Sequence, residues 1–254
     1  MCGERYDMIF ELRDASLAAP LYRGMEDTSI LSCLQGVMGK VFVTDPVSPR
    51  SAMAYVGSFA FYAGEPDREL VMNKPEGFLV MVPQHEGWQA MIEECFPQAE
   101  RNIRFATRKD TRFNRAKLGE MAAALPEGYA IRRIDAELYD QCAAEPAFND
   151  QVLVFGSKEK YLELGRGMAV VKDGRIVSGA SSYSRYNEGI EIEVDTLSEE
   201  RRKGLASAVC AALILACLDE GLYPSWDAAN RSSLGLARKL GYEFSHEYVC
   251  YEVE

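Results

Sequence analysis

Histidine is nearly missing from this chain: there are two, His85 and His246, in 254 residues. Seven cysteines are scattered without a C-x-x-C pair, so neither a structural zinc site nor a disulfide framework is indicated, and no bound metal is expected. Reduced thiols serving as small core residues are the plain reading. Basic excess is missing as well. The formal charge of −11 is the opposite of the basic face that marks a nucleic-acid binder. No apolar run is long enough for a bilayer, since the longest, Leu205 to Leu218, is about fourteen residues and reads as a buried helix. The start, Met1-Cys2-Gly3-Glu4-Arg5, is not followed by an apolar signal core, so a cytoplasmic protein is expected. No G-x-x-x-x-G-K-(S/T) loop occurs. Gly165-Arg166-Gly167 lacks a third glycine and runs into strand-like residues, which makes it a turn.

What is present is a globular composition, 48% hydrophobic and 26% charged. Leu125-Pro126-Glu127-Gly128 stops a helical pattern and divides the chain into regions 1–125 and 126–254. In the first region, alternation over Met53 to Tyr62 predicts a strand, and Gly77 to Val82 predicts a second. A helix follows with Trp88, Met91, Ile92, Cys95 and Phe96 on a core stripe. Asn102 to Ala106 predicts a strand and Phe113 to Leu125 a helix. Strands alternating with helices imply an α/β unit.

The second region has sharper signals. Met168 to Val171 and Ile176 to Ala180 flank Lys172-Asp173-Gly174-Arg175, whose Asp-Gly pair predicts a type I′ hairpin. A turn at Asn187-Glu188-Gly189 leads into a strand over Ile190 to Leu197. A long helix runs from near Arg202 to Gly221, a strand covers Tyr223 to Ala228, and Asn230 caps a helix ending at Gly241. The order strand, strand, strand, helix, strand, helix predicts a mixed α/β (α+β) fold around an antiparallel meander.

Chemistry concentrates where the strand Glu191-Ile192-Glu193-Val194-Asp195-Thr196-Leu197 passes through Ser198-Glu199-Glu200 into Arg201-Arg202-Lys203-Gly204-Leu205-Ala206. Three cations at a helix start are misplaced by themselves, because that end already carries about half a positive charge. A bound phosphate resolves the conflict, gripped by free backbone N–H groups with Gly204 allowing close approach. A solvated basic helix start is the bland alternative.

Arg201-x-x-Gly204-x-Ala206 resembles the (Q/R)-x-x-G-x-(G/A) pyrophosphate loop of GNAT acetyltransferases, between the expected strand and helix. Asn230, Ser232-Ser233 and Lys239-Leu240-Gly241-Tyr242 resemble the family's second CoA segment. Val177 to Ser182, Pro224 to Asn230, Phe61-Tyr62-Ala63-Gly64-Glu65-Pro66, Met81-Val82-Pro83-Gln84 and Trp88 look like the zwittermicin A resistance type of GNAT protein, over most of the chain. The resemblance implies a C-terminal GNAT fold joined to an N-terminal α/β region, itself read as a degenerate relative of that fold. It also implies acetyl-CoA as co-substrate and a small-molecule amine as acceptor. Val194, Asp195 and Thr196 would face the thioester arm, and Arg201, Arg202, Lys203, Gly204, Leu205, Ala206 and Ser207 the pyrophosphate. Asn230, Ser232 and Ser233 would touch the pantetheine. A homodimer is left open.

The resemblance has one gap. Many GNAT enzymes carry a tyrosine seven residues after the equivalent of Asn230, acting as general acid; here that position is Ala237. Tyr183, Tyr186 and Tyr242 are the other candidates. Glu191, Glu193 and Asp195 alternate along one strand, and Glu193 is named first as catalytic base. Ala237 also keeps in view a non-catalytic acyl-CoA-binding sensor or scaffold, and acetylation of protein amines is a third reading.

Overall fold

The computed structural model describes residues 8–254. Cys2 and the chain start, on which the expectation about a signal segment rests, lie outside the described residues. The chain forms two compact units, one holding the chain up to Arg104 together with Glu247–Glu254, the other Phe105–His246. This division is drawn elsewhere than the expected one at 125/126. The helix Arg115–Ala123 (α4) falls in the second unit because it packs along the long helix Leu205–Asp219.

In the first unit, β1 (Phe10–Glu11), a 3-10 helix (Ala15–Tyr22) and α1 (Thr28–Leu34) precede β2 (Lys40–Val43), β3 (Ser51–Val56) and β4 (Phe59–Gly64). Strands β1 to β4 form an antiparallel meander. The single strand expected over Met53 to Tyr62 is two strands, because Gly57 adopts φ 58° and turns the chain between them. Helix α2 (Arg68–Met72) leads to β5 (Leu79–Pro83), parallel to β4. Helix α3 (Glu86–Cys95) follows, and β6 (Glu100–Thr107) crosses the division between units. Met53, Tyr62, Leu70, Leu79, Met81, Trp88 and Ile92 form the core, so Trp88 is a packing residue as its spacing predicts.

The second unit runs α4, β7 (Tyr129–Arg133), α5 (Ala136–Ala144), α6 (Asp150–Leu153), α7 (Lys158–Leu164), β8 (Gly167–Lys172), β9 (Arg175–Tyr186) and β10 (Gly189–Thr196). A 3-10 turn (Ser198–Glu200) then leads to α8 (Leu205–Asp219), β11 (Tyr223–Ser225), β12 (Asp227–Ala228) and α9 (Arg231–Leu240); β13 (Phe244–Val253) begins in this unit and ends in the first, where Tyr251, Glu252 and Val253 pair with Met81, Val80 and Leu79 of β5. The sheet order is β11-β10-β9-β8-β7, antiparallel except for the parallel β10–β11 pair. This is the mixed α/β architecture the sequence predicts. Asp173 and Gly174 take φ 49° and 78°, the two left-handed positions of a type I′ turn. Helix α8 buries Leu205, Ala208, Val209, Cys210, Leu213, Ile214 and Cys217 and packs on β8, β9 and β10. A fifteen-residue helix so apolar is stable through burial and not through an amphipathic stripe. The six described cysteines are free thiols, five of them buried.

Candidate functional site

Strand β10 is paired differently along its two halves. Gly189, Ile190 and Glu191 lie parallel to Tyr223, Pro224 and Ser225 of β11. There the parallel pairing stops: after Trp226 the chain pairs instead with Phe105 and Ala106 of β6. From Ile192 to Thr196, β10 continues against β9, down to Thr196 opposite Ser178. The two parallel strands therefore part after Glu191 and leave a strand edge facing a wedge. Such an edge offers alternating N–H and C=O groups to an extended ligand. At the parting point Glu191 and Ile192 face Ser184 and Ser182, so Tyr183 is the extra residue of a β-bulge.

Immediately beyond the edge comes the loop into α8. Arg202 has φ 63°, a left-handed conformation unusual for a residue with a side chain, and Gly204 has φ 83°. Alternating conformations of this kind turn successive backbone N–H groups inward as an anion-binding nest. Gly204 is the N-cap of α8 and no side chain caps that helix. The first intrahelical bond here is from Ala208 N–H to Gly204 O, so the N–H groups of Leu205, Ala206 and Ser207 are left without helical partners. A helix start with unclaimed N–H groups and a positive dipole end suits a phosphate. The residues present fit the diphosphate of an acyl-CoA.

The three loop cations behave differently from one another. Lys203 does not turn toward the loop: its Nζ donates to Glu200 Oε2 at 2.7 Å and to Tyr129 Oη at 3.2 Å. Tyr129 Oη donates to the same Glu200 oxygen at 2.6 Å, and Lys172 Nζ stands 3.6 Å from the other. Glu200 is buried, and these donors, Lys203 first, lower its carboxyl from 4.5 to about 2. The cluster pins the 3-10 turn to β7 and β8. Arg201 Nε donates to Thr196 O at 3.3 Å, closing the loop on its own strand. The exposed Arg202 guanidinium is the loop cation with no such partner among the described residues.

Helix α9 starts at Asn230, whose Oδ1 accepts from Ser233 N–H at 3.0 Å. Ser233 Oγ in turn accepts from the indole of buried Trp226 at 3.2 Å. Ser232 is exposed, and Asn230 keeps its amide N–H₂ group for a ligand. Ser207 Oγ accepts from Lys239 Nζ at 3.2 Å, which ties the start of α8 to the last turn of α9. Ala237 is fully buried. Tyr242 is committed too: its hydroxyl donates to Pro224 O at 2.5 Å, and burial pushes its pKa well above the ordinary value. Burial also raises Tyr186.

Of the strand carboxylates, Glu191 is buried, while Glu193 and Asp195 are partly exposed. Glu193 faces Ser181 and Asp195 faces Gly179. Burial raises the Asp195 pKa, against Arg201, which lowers it. Two participants escaped the sequence reading. Glu200 sits next to the basic triplet but its partners Tyr129 and Lys172 are remote in sequence. Gln151, fully buried in α6, donates from Nε2 at 3.0 Å to the backbone oxygen of Gly179, the residue across from Asp195, and no motif marks it.

The GNAT acetyltransferase family model matches residues 19–251. A solved structure described as a GCN5-related N-acetyltransferase-like protein from Streptococcus suis 89/1591 is 43% identical, with TM-score 0.90, over 94% of this chain and 98% of that one. The Bacillus subtilis protein "Uncharacterized N-acetyltransferase YdfB" is 33% identical over 130 residues, 50% of this chain and 49% of its own length. The chain thus spans about half the length of this curated relative. A tandem GNAT protein from the clavulanic acid biosynthesis pathway shares the fold, with TM-score 0.58 at 12% identity over 97% of this chain and 98% of that one.

Proposed function

The chain belongs to the GNAT acetyltransferase family, and from that premise we propose that it moves an acetyl group from acetyl-CoA to the amine of a small molecule by direct attack. The observation that carries this reading is the joining, in one unit, of a strand edge opened after Glu191 to an uncapped helix start at Gly204. The edge suits the amide-rich arm of the donor, and the helix start suits its diphosphate.

Binding is assigned to the backbone of Val194, Asp195 and Thr196 for the thioester arm and to residues 201–207 for the diphosphate. Asn230, Ser232 and Ser233 are assigned to the arm near the departing sulfur. A backbone N–H of the strand stabilises the oxyanion that develops as the neutral amine nitrogen adds to the thioester carbon. The N–C bond forms, the C–S bond breaks, and the electron pair leaves with sulfur. The amine proton passes to a carboxylate, for which Glu193 is the first candidate, directly or through water. A thiolate of ordinary pKa, about 8.5, can leave without a general acid and take its proton from solvent. That suits a site in which position 237 is a buried alanine and Tyr242 is held by Pro224 O.

The same proposal keeps transferase chemistry in region 126–254 and treats region 1–125 as a degenerate GNAT-like half. The zwittermicin A resistance type, a cytoplasmic location and a homodimer are its finer parts. No helix among the described residues is long and apolar enough to cross a membrane.

A thermal-shift titration with acetyl-CoA, followed by free-thiol release against a panel of amines, tests the reading. Stabilisation plus amine-dependent thiol release is expected. Binding without release to any amine or peptide amine sinks the catalytic claim in favour of a sensor, and no binding sinks both. Glu193→Gln should depress turnover mainly at low pH, and an unchanged pH–rate profile removes Glu193 as the base.

A further inference from the structure

We propose that Lys109 is a catalytic residue of the transfer: its ammonium stabilises the thiolate of CoA as the C–S bond breaks. The inference rests on the transferase reading and adds to that site a cation that none of its motifs supplies.

The argument begins where β10 and β11 part. Ser225 is the last residue of β11 paired with β10, and it lies directly across from Glu191. It has no exposed surface, and a buried hydroxyl needs a partner. Ser225 Oγ accepts from Lys109 Nζ at 2.8 Å, across 116 residues of sequence. The same ammonium donates to Trp226 O at 3.4 Å. Trp226 is the residue at which the chain leaves β10 to pair with β6. All these residues belong to the second unit. The charge of Lys109 is thus held at the parting point itself.

Two observations connect that point to the departing sulfur. Trp226 is the first: its carbonyl accepts from Lys109, and its indole donates to Ser233 Oγ at 3.2 Å. Ser233 N–H donates in turn to Asn230 Oδ1 at 3.0 Å, so the lysine is anchored to the pair assigned to the arm near sulfur. Length is the second. From diphosphate to sulfur, the arm of CoA equals about four residues of extended backbone, roughly 13–14 Å. Laid along the strand edge from Thr196, it ends near Ile192, one residue beyond the Glu191–Ser225 pair.

A structural role alone does not account for a charge here. Thr107 Oγ1 already donates to Trp226 O at 2.5 Å, and a neutral donor would satisfy Ser225. A half-buried ammonium costs desolvation that a neutral side chain avoids. Asp110, next in the chain, is held by Arg108 at 2.8 Å. The breaking C–S bond leaves its electron pair on sulfur, where the family's usual tyrosine is replaced by buried Ala237. An ammonium fixed in advance meets that charge as it develops. Lys109 keeps its own protons in this step, and the thiolate is protonated afterwards by solvent.

Lys109→Gln removes the charge and keeps a donor for Ser225, whereas Lys109→Arg keeps the charge. Calorimetric titration of CoA over a range of pH, in buffers of different ionisation enthalpy, counts the protons released on binding. The free thiol has a pKa of about 8.5, and a cation beside it should lower the bound value by about 1–3 units. Wild type and Lys109→Arg should therefore release a proton on binding CoA and bind it more tightly as pH rises through that window. CoA lacking its sulfur should show neither effect, and Lys109→Gln should lose both. In turnover, Lys109→Gln should lower kcat about tenfold or more with KM for acetyl-CoA little changed. If Lys109→Gln does not fold, wild-type proton release with CoA, set against CoA lacking sulfur, still decides the matter. Equal proton release in wild type and Lys109→Gln, or a wild type that binds CoA without any, overturns the inference. Ionisation of the bound thiol without acetyl transfer to any amine would instead overturn the transferase reading and support Lys109. A wild type that does not bind CoA overturns both.

Discussion

Gly204→Ala isolates one of the two left-handed positions, Arg202 and Gly204, on which the proposed diphosphate site depends. Gly204 has φ 83° and ψ 0°, and an added Cβ would meet nothing within 4 Å. No clash therefore contributes, and the substitution probes the backbone alone. An L-residue held in the left-handed region costs about 1–2 kcal/mol. The protein can meet that cost in two ways. If the loop keeps its shape, the strain stays in the folded state, and melting should fall by roughly 2–8 °C, at about 2–4 °C per kcal/mol for a domain of this size. If the loop relaxes instead, melting is spared but the N–H groups turn away, and acetyl-CoA binding should weaken by a factor of about 5–30. The two losses together should account for about 1–2 kcal/mol. Gly119→Ala, inside α4 and likewise without a neighbour within 4 Å of its Cβ, is the control of opposite sign. Glycine in a helix interior is unfavourable by roughly 0.5–1 kcal/mol relative to alanine, so that variant should melt higher. Differential scanning fluorimetry with and without acetyl-CoA, run on both variants, gives all four values. A Gly204→Ala protein with unchanged melting and unchanged affinity refutes the nest.

Glu200→Ala frees Lys203 and Lys172 and unpins the turn before the loop, so KM for acetyl-CoA should rise severalfold with kcat little changed; equal effects on both would implicate chemistry instead. The Glu200 carboxyl is lowered from 4.5 to about 2 in the folded state, so its stabilisation is present above 4.5 and is lost as pH falls toward 2. Acid melting curves of wild type and Glu200→Gln should accordingly converge across that window, and parallel curves would contradict the assignment. Tyr242→Phe leaves Pro224 O unsatisfied in a buried place and should destabilise by about 1–3 kcal/mol while thiol release per folded enzyme persists; loss of turnover in a folded protein would restore Tyr242 as an acid. Ala237→Tyr, which installs the family's usual acid at a fully buried position, should overpack the helix by about 1–3 kcal/mol without raising kcat. A faster, equally stable variant would show that the position opens onto the site.

The parts legible in the sequence were those with a local cause. Asp173-Gly174 fixes its hairpin, Asn230 and Gly241 bound α9, and the apolar run of α8 declares a buried helix. The start of α8 was misplaced near Arg202 because nothing in its composition says that Arg202 and Gly204 are left-handed; the helix begins at Leu205. That error hid the feature on which the proposed diphosphate site rests. The helices α5, α6 and α7 went unread because they are nine, four and seven residues long and owe their form to packing on the sheet. Gln151 was lost with them. Lys203 illustrates the limit from the other side. Its charge suggested a phosphate contact, but Tyr129, 71 residues from Glu200, helps build the acidic site that claims it.

The first unit bears on how many acetyl-CoA molecules the chain can hold. It repeats the order of the second: an antiparallel meander (β2, β3, β4), a helix (α2), a strand parallel to the third (β5) and another helix (α3), as β8, β9, β10, α8, β11 and α9 run. Each feature that opens the second unit is closed in the first. The parallel pair β4–β5 stays joined from Phe59–Val80 to Tyr62–Pro83, and Gln84 prolongs it, donating its N–H to Tyr62 O and accepting Gly64 N–H on Oε1, each at 3.0 Å. Trp88 then donates to Gly64 O at 2.9 Å. At the helix start, Asp67 accepts from Glu69 and Leu70 N–H groups at 2.9 and 3.2 Å. A built-in carboxylate thus holds the place where Gly204 leaves room for a phosphate, and a second anion there would meet like charge. The repeat supports the reading of this half as a degenerate relative of the transferase fold. One acetyl-CoA per chain is the expected calorimetric stoichiometry, and the Gly204→Ala substitution should weaken that single event. Two equivalents per chain, or a full-strength event untouched by Gly204→Ala, would mean that the first unit binds after all and that Asp67 and Gln84 do not close it.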